Sequence, residues 1–218
     1  MKKHQIALGL IAVLSSNMAV AKKDPLSFYG DFRLRYEQDW DSQRGNGVER
    51  DDRARLRIRL RGGLNYQLND SLKFGLRART GSTSSQQSPH ITIYDFDNND
   101  KGDKQVTLDK WFAQYQFDSG KVWVGRNSSP FWQQNELFWD DDVTLAGIGG
   151  HIKINSDTQI NAGYFALPDG MTDFAGSMWG VQLQRNVTAD TKLAFGWLNT
   201  DGEDSVENLN QDFANRDY

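Results

Sequence analysis

Five arginines stand at every second position of one short stretch: Arg53, Arg55, Arg57, Arg59 and Arg61. A guanidinium is a planar, permanently charged fork of N–H donors that matches carboxylate and phosphate oxygens. Spaced by two, these groups share one face of an extended strand, because successive strand side chains point to opposite sides. The residues between them, Ala54, Leu56, Ile58 and Leu60, are apolar, and the alternation continues to Leu68. On a helix the same arginines would be scattered around the axis and leave no apolar stripe. The chemistry on offer is attraction of anions along a wall. Neighbouring segments add Arg33, Arg35, Lys73, Arg77 and Arg79 in the same polar phase. Arg126 closes a strand-like segment, Lys121 to Asn127, whose faces the alternation leaves unassigned, since it shares parity with Val122 and Val124.

Like charges side by side are unfavourable, and desolvating them costs still more. Water and counter-anions can screen them, so the pattern implies a wet lumen whose field concentrates anions. A wall of one sign calls for an opposing partner. The segment Asn127 to Asp142 is the candidate constriction loop, with Glu136, Asp140, Asp141 and Asp142 beside Phe131, Trp132, Leu137, Phe138 and Trp139. Either the loop folds inward and packs its aromatics on the wall, or it lies outside against a neighbouring subunit or lipid.

The elements that must position these residues are strands. Alternating segments are expected over Leu26–Glu37, Arg53–Leu68, Leu72–Arg79, Lys110–Phe117, Lys121–Asn127, Ala146–Ile154, Gln159–Tyr164, Trp179–Gln184 and Leu193–Trp197, nine in all. The second spans 16 residues, against about 5–6 for an ordinary soluble strand and roughly 9–11 for a tilted membrane strand. Short turns at Asn69-Asp70, Asp118–Gly120, Asn155–Asp157 and Asn186–Asp190 alternate with long polar loops. Those loops are Asp41–Asp52, Gly81–Lys104, Asn127–Asp142, Pro168–Gly176 and the stretch from Asn199 onward. Aromatics such as Trp40, Tyr66, Trp111, Tyr164, Trp179 and Trp197 fall near strand ends, as interfacial girdles do. The expected fold is all-β, a transmembrane antiparallel up-and-down β-barrel.

The ends and the composition agree with that reading. Lys2, Lys3 and His4, the apolar run Ile6–Leu14 and Ala19-Val20-Ala21 predict a signal peptide over residues 1–21, leaving residues 22–218 as the barrel. The net charge is −4 and there is no cysteine, so no disulfide framework supports the fold. Mean hydropathy is −0.69, which a barrel of alternating strands can show. A membrane barrel must close and bacterial single-chain barrels have an even strand number, so nine strands predict a chain cut short at its C-terminal end.

Other chemistries fit less well. The barrel region has only His90 and His151; His90 shares a long loop with Asp95 and Asp97, yet no nucleophile pattern accompanies it, so no catalytic residue is assigned. The run Asp95 to Asp103 is rich in oxygen ligands, but Asp100 stands where a calcium loop of the EF-hand type needs glycine. A solvated acidic loop fits better than one that bridges divalent ions or lipopolysaccharide, and neither metal nor cofactor is assigned. A secreted soluble β-sandwich would alternate too, but with short strands. A non-conducting structural or adhesive barrel is the main alternative.

The stretch Phe28-Tyr29-Gly30-Asp31-Phe32-Arg33-Leu34-Arg35-Tyr36-Glu37, followed by Asp52-Arg53-Ala54-Arg55-Leu56-Arg57, resembles Gram-negative outer-membrane porins, in particular the putative porin family. Val124-Gly125-Arg126-Asn127 looks like the Gly-Arg strand end of those proteins. The resemblance covers the chain as the N-terminal half of such a barrel. It implies a homotrimer of barrels with about 16 strands each, an inward-folded third loop, and passive diffusion of small hydrophilic solutes. The arginine lining adds a preference for anions. The partners expected are outer-membrane lipid, lipopolysaccharide and the solutes, with no nucleic acid.

Overall fold

The computed structural model describes residues 12–13, 24–43, 47–82, 89–97, 104–135, 141–169 and 173–201. Ten strands follow one another with no helix among the described residues: β1 Leu26–Asp39, β2 Arg53–Gln67, β3 Leu72–Thr80, β4 Ile91–Asp95, β5 Val106–Phe117, β6 Gly120–Ser128, β7 Thr144–Lys153, β8 Thr158–Asp169, β9 Asp173–Asn186 and β10 Lys192–Asp201. All pairings are antiparallel, in the order β1-β2-β3-β5-β6-β7-β8-β9-β10, with β4 beside β2. The sheet is a meander, as short turns between alternating segments require, and it is open: β1 and β10 do not pair. Ala12–Val13 pairs with Leu34 and Arg33; the rest of the expected signal peptide lies outside the described residues.

Two expected loops prove shorter than the sequence suggested. Within Gly81–Lys104, Ile91–Asp95 forms β4, which pairs with β2 from Arg55↔Asp95 to Ile58↔Ile91. β3 accompanies β2 only from Arg61 to Gln67, so β2 outruns its neighbour and its free edge must find another partner. The expected loop Pro168–Gly176 is largely strand: β8 and β9 stay paired up to Asp169↔Asp173, with a shift at Phe174/Gly176.

The two faces of the sheet differ as the alternation requires. One is apolar and open: Phe28 is 76% exposed and Phe195 79%, and Phe32, Leu34, Leu60, Phe74, Leu76, Trp111, Val124, Ile148, Tyr164, Trp179, Val181 and Trp197 are exposed with them. A patch of this extent far exceeds what a soluble monomer leaves bare. The other face is polar, and its one apolar cluster among the described residues is Trp123, Leu145, Phe165 and Met178, flanked by Phe112, Phe131 and Val143.

Two backbone irregularities aim side chains at the polar face. On β5 the register with β3 shifts between Arg77↔Lys110 and Ala78↔Leu108. This bulge leaves Asp109 unpaired in the ladder and turns both it and Lys110 away from the exposed side. Phe112, two residues beyond Lys110 and in the same phase, also lies on the polar side, where its ring fills the space over Gly75. On β6 and β7, Gly125 and Gly147 face each other with φ of 107° and 155°, a backbone that L side chains rarely adopt. This break in the alternation lets Arg126 leave the phase of Val122 and Val124. Its Nε donates to Thr144 Oγ1 at 2.8 Å, within electrostatic range of Asp109 and Arg79.

Candidate functional site

The register of β1 against β2 determines what the arginines meet. Asp39 faces Arg53, Glu37 faces Arg55 and Asp31 faces Arg61, while Arg35 faces Arg57 and Arg33 faces Arg59. Opposite charges directly across a ladder attract, and three of these five rungs pair acid with base. Arg53 Nε lies 2.7 Å from Asp39 Oδ2. Glu37 accepts from Arg55 and from Arg57 Nη1 at 3.1 Å. Asp31 accepts from Arg61 Nε at 2.6 Å and Arg59 Nη2 at 3.1 Å. The ladder is thus a chain of ion pairs, where the sequence suggested a wall screened by water and dissolved anions and opposed by the acidic segment Asn127–Asp142. The physical reason is proximity: carboxylates one strand away stay within reach of the forks without leaving the sheet.

Asp142 extends this network from a distance. It lies just before β7, is 2% exposed, and accepts from Arg59 Nη1 at 2.9 Å and from Arg61. Asp141 is more exposed and comes within 3.9 Å of Arg61. The loop between β6 and β7 therefore reaches across the polar face to β2. Its first half reaches the opposite way. Phe131 packs edge-on against Phe165 at 6.3 Å between ring centroids. The backbone N–H of Trp132 donates to Gln182 Oε1 at 2.8 Å, and Gln182 Nε2 donates back to the Trp132 carbonyl at 2.9 Å. Lys192 Nζ stands 5.4 Å from the centre of the Trp132 ring, a cation–π arrangement. Glu136 and Asp140, expected in the same constriction, lie outside the described residues.

A second clamp was not read from the sequence. Arg77 grips Asp109 with Nε at 3.0 Å and Nη2 at 2.5 Å, and Arg79 Nε approaches the same carboxylate at 3.5 Å. Asp109 is 1% exposed. A buried carboxylate between two guanidiniums has the pairing that burial of charge demands. Its only sequence signal is an acid immediately before the alternating segment Lys110–Phe117, and the bulge makes that spacing uninformative. Asp31, Glu37 and Asp39 did carry a signal, the parity of Arg33 and Arg35, but their role depends on register. Lys73 sits 5.7 Å from the centre of the Phe112 ring.

His90 closes the upper part of the wall. Its carbonyl accepts from Arg57 Nη2 at 2.9 Å, and the neighbouring Pro89 carbonyl accepts from Thr80 Oγ1 at 2.8 Å. Burial lowers the imidazole pKa to about 3, helped by the positive charges of Arg35, Arg57, Arg59 and Arg33. An imidazole so weakly basic, fixed among arginines, is poorly suited to take a proton from water. In the acidic loop, Asp97 Oδ2 accepts from the Ala54 backbone N–H at 2.6 Å and Asp95 Oδ1 from the Asp97 N–H at 3.0 Å. Asp97 thus anchors the loop on β2. Asn98 to Asp103 lie outside the described residues.

A charged polar face, an exposed apolar face on the opposite side and a connecting loop drawn across the polar face make up the geometry of this sheet. The family model described as putative porin matches residues 46–197. The chain belongs to the putative porin family. The match runs from before β2 to within β10 and takes in the arginine ladder, the Asp109 clamp and the inward loop. No curated protein matches the sequence.

Proposed function

We propose that the chain forms the wall of an outer-membrane porin, a water-filled channel for passive diffusion of small hydrophilic solutes, with an arginine lining that favours anions. The observation that carries this reading is the polar face itself. Arg33, Arg35, Arg53, Arg55, Arg57, Arg59, Arg61, Lys73, Arg77, Arg79 and Arg126 are its pore-lining bases. Asp142, with Asp141, Glu136 and Asp140 in the same loop, forms the constriction. Apolar side chains on the opposite face meet lipid, where only a closed barrel satisfies the backbone. The complete channel is a homotrimer in contact with lipid and lipopolysaccharide, needs no cofactor, and catalyses no reaction.

The chemistry follows from the ion pairs. Fixed charges of both signs along one wall keep water in the lumen and set a strong local field. A solute passing Arg33 and Arg35 exchanges hydration for guanidinium contacts without meeting a deep apolar trap. The loop narrows the lumen and sets the size limit. Liposome swelling with neutral sugars of increasing size tests this reading. Swelling that falls off with sugar size supports a sieving pore; no swelling with any sugar favours a closed structural barrel.

A further inference from the structure

The ladder is compensated unevenly. Three rungs between β1 and β2 oppose acid and base, but in the two central rungs arginine faces arginine: Arg35↔Arg57 and Arg33↔Arg59. Arg57 and Arg59 are held by Glu37, Asp31 and Asp142. Arg33 has no ion pair within 4 Å among the described residues, and Arg35 reaches only Glu37 Oε2 at 3.6 Å. That oxygen already accepts from Arg57. Like charges opposed across a ladder destabilise it, so these rungs hold positive charge that the described residues compensate only in part. His90 lies over them. Its carbonyl is tied to Arg57, and its Nε2 is buried without a hydrogen-bond partner among the described residues. A buried polar atom without a partner is uncommon and calls for an explanation.

We propose that Arg33, Arg35 and the His90 imidazole form an oxyanion-binding site on the channel wall, for a multiply charged tetrahedral anion of the phosphate class. This rests on the pore reading above and assigns one place on the wall to the anion. Arg33, unpaired among the described residues, and Arg35, which shares Glu37 with Arg55 and Arg57, match more than one negative charge, and their forks present paired N–H donors to oxygens of one anion. A neutral imidazole adds an N–H donor at Nε2 without repelling the arginines. Chloride, a sphere with no directional oxygens, gains less from the same forks. The arginines at the compensated rungs hold β1 and β2 together, and Arg33 and Arg35 hold the solute.

The test is calorimetric titration of the folded, detergent-solubilised full-length protein with inorganic phosphate, paired with planar-bilayer recording in KCl. Saturable phosphate binding is expected, with a saturable reduction of chloride current. Affinity should fall about tenfold for each arginine lost in R33Q and in R33Q/R35Q, and less in H90A. R185Q, at the far end of β9, should bind as the unaltered protein does. If R33Q/R35Q does not fold, R33Q alone decides. A conducting channel with no phosphate binding, or with binding unchanged in R33Q, overturns the site and leaves the porin reading intact. Tighter binding of succinate than of phosphate overturns the ligand class. Phosphate binding lost in R33Q/R35Q together with absent conductance keeps the site and overturns the pore.

Discussion

Replacing Asp142 with asparagine should release one end of the loop between β6 and β7, the proposed constriction. The carboxylate is 2% exposed and joins Arg59 and Arg61 across a sequence separation of more than 80 residues. Removing one partner of a buried ion pair costs about 3–5 kcal/mol, because the charge left behind stays buried. Here Asp31 still accepts from both arginines, so the low end, about 3 kcal/mol, applies. That raises the population of the detached loop on the order of a hundredfold. Hydrogen exchange followed by mass spectrometry reads it directly. Peptides covering Asp141 to Val143 should exchange faster in D142N, while those around Trp132, held by Gln182, should change little. Single-channel conductance should rise in the same variant. Unchanged exchange at Asp141–Val143 would refute the reasoning, since it would mean that the ion pairs do not hold the loop.

Three further outcomes follow from the same geometry. D109N leaves Arg77 and Arg79 without their shared carboxylate and should lower stability by about 3–5 kcal/mol, seen as a lower temperature at which folded protein is lost in heat-modifiability gels. G163V would drive a side chain into the Phe165 ring and should cost about 1–3 kcal/mol by overpacking, measured by denaturant unfolding in detergent. His90, depressed to about 3, binds a proton in the released state but not in the docked one between pH 6.5 and about 3. Docking of the Pro89–Ile91 segment is therefore fully stable above pH 6.5 and weakens as pH falls through that window. Histidine NMR in phosphate-free buffer should show one imidazole neutral well below pH 6, and its titration near 6.5 would contradict the packing.

Much of the fold was legible because period-two alternation survives any tertiary context that keeps one face apolar. The β2 arginines, the short turns and the apolar face from Phe28 to Trp197 all follow from it. β4 was hidden: Ile91–Asp95 is too short for a pattern, and it exists because β2 outruns β3. The bulge at Asp109 broke the phase that would have shown this acid facing inward, and Gly125 did the same for Arg126. The counter-charges were harder still. Asp31, Glu37 and Asp39 share a parity with Arg33 and Arg35, but only register decides which arginine each meets, and one residue of slip would re-pair them all. The acids and aromatics of Asn127–Asp142 marked that loop as the wall's candidate partner, but which arginines Asp142 meets, Arg59 and Arg61, depends on how the loop crosses the polar face, which no local pattern encodes.

The most direct test of the central claim is the reversal potential of the full-length protein in a planar bilayer under a KCl gradient. Stable conductance steps are expected, with an anion-selective potential that moves toward cation selectivity in R33Q/R35Q. Stable steps with a cation-selective potential in the unaltered protein would contradict the role given to the arginines, and no conductance would contradict the channel itself.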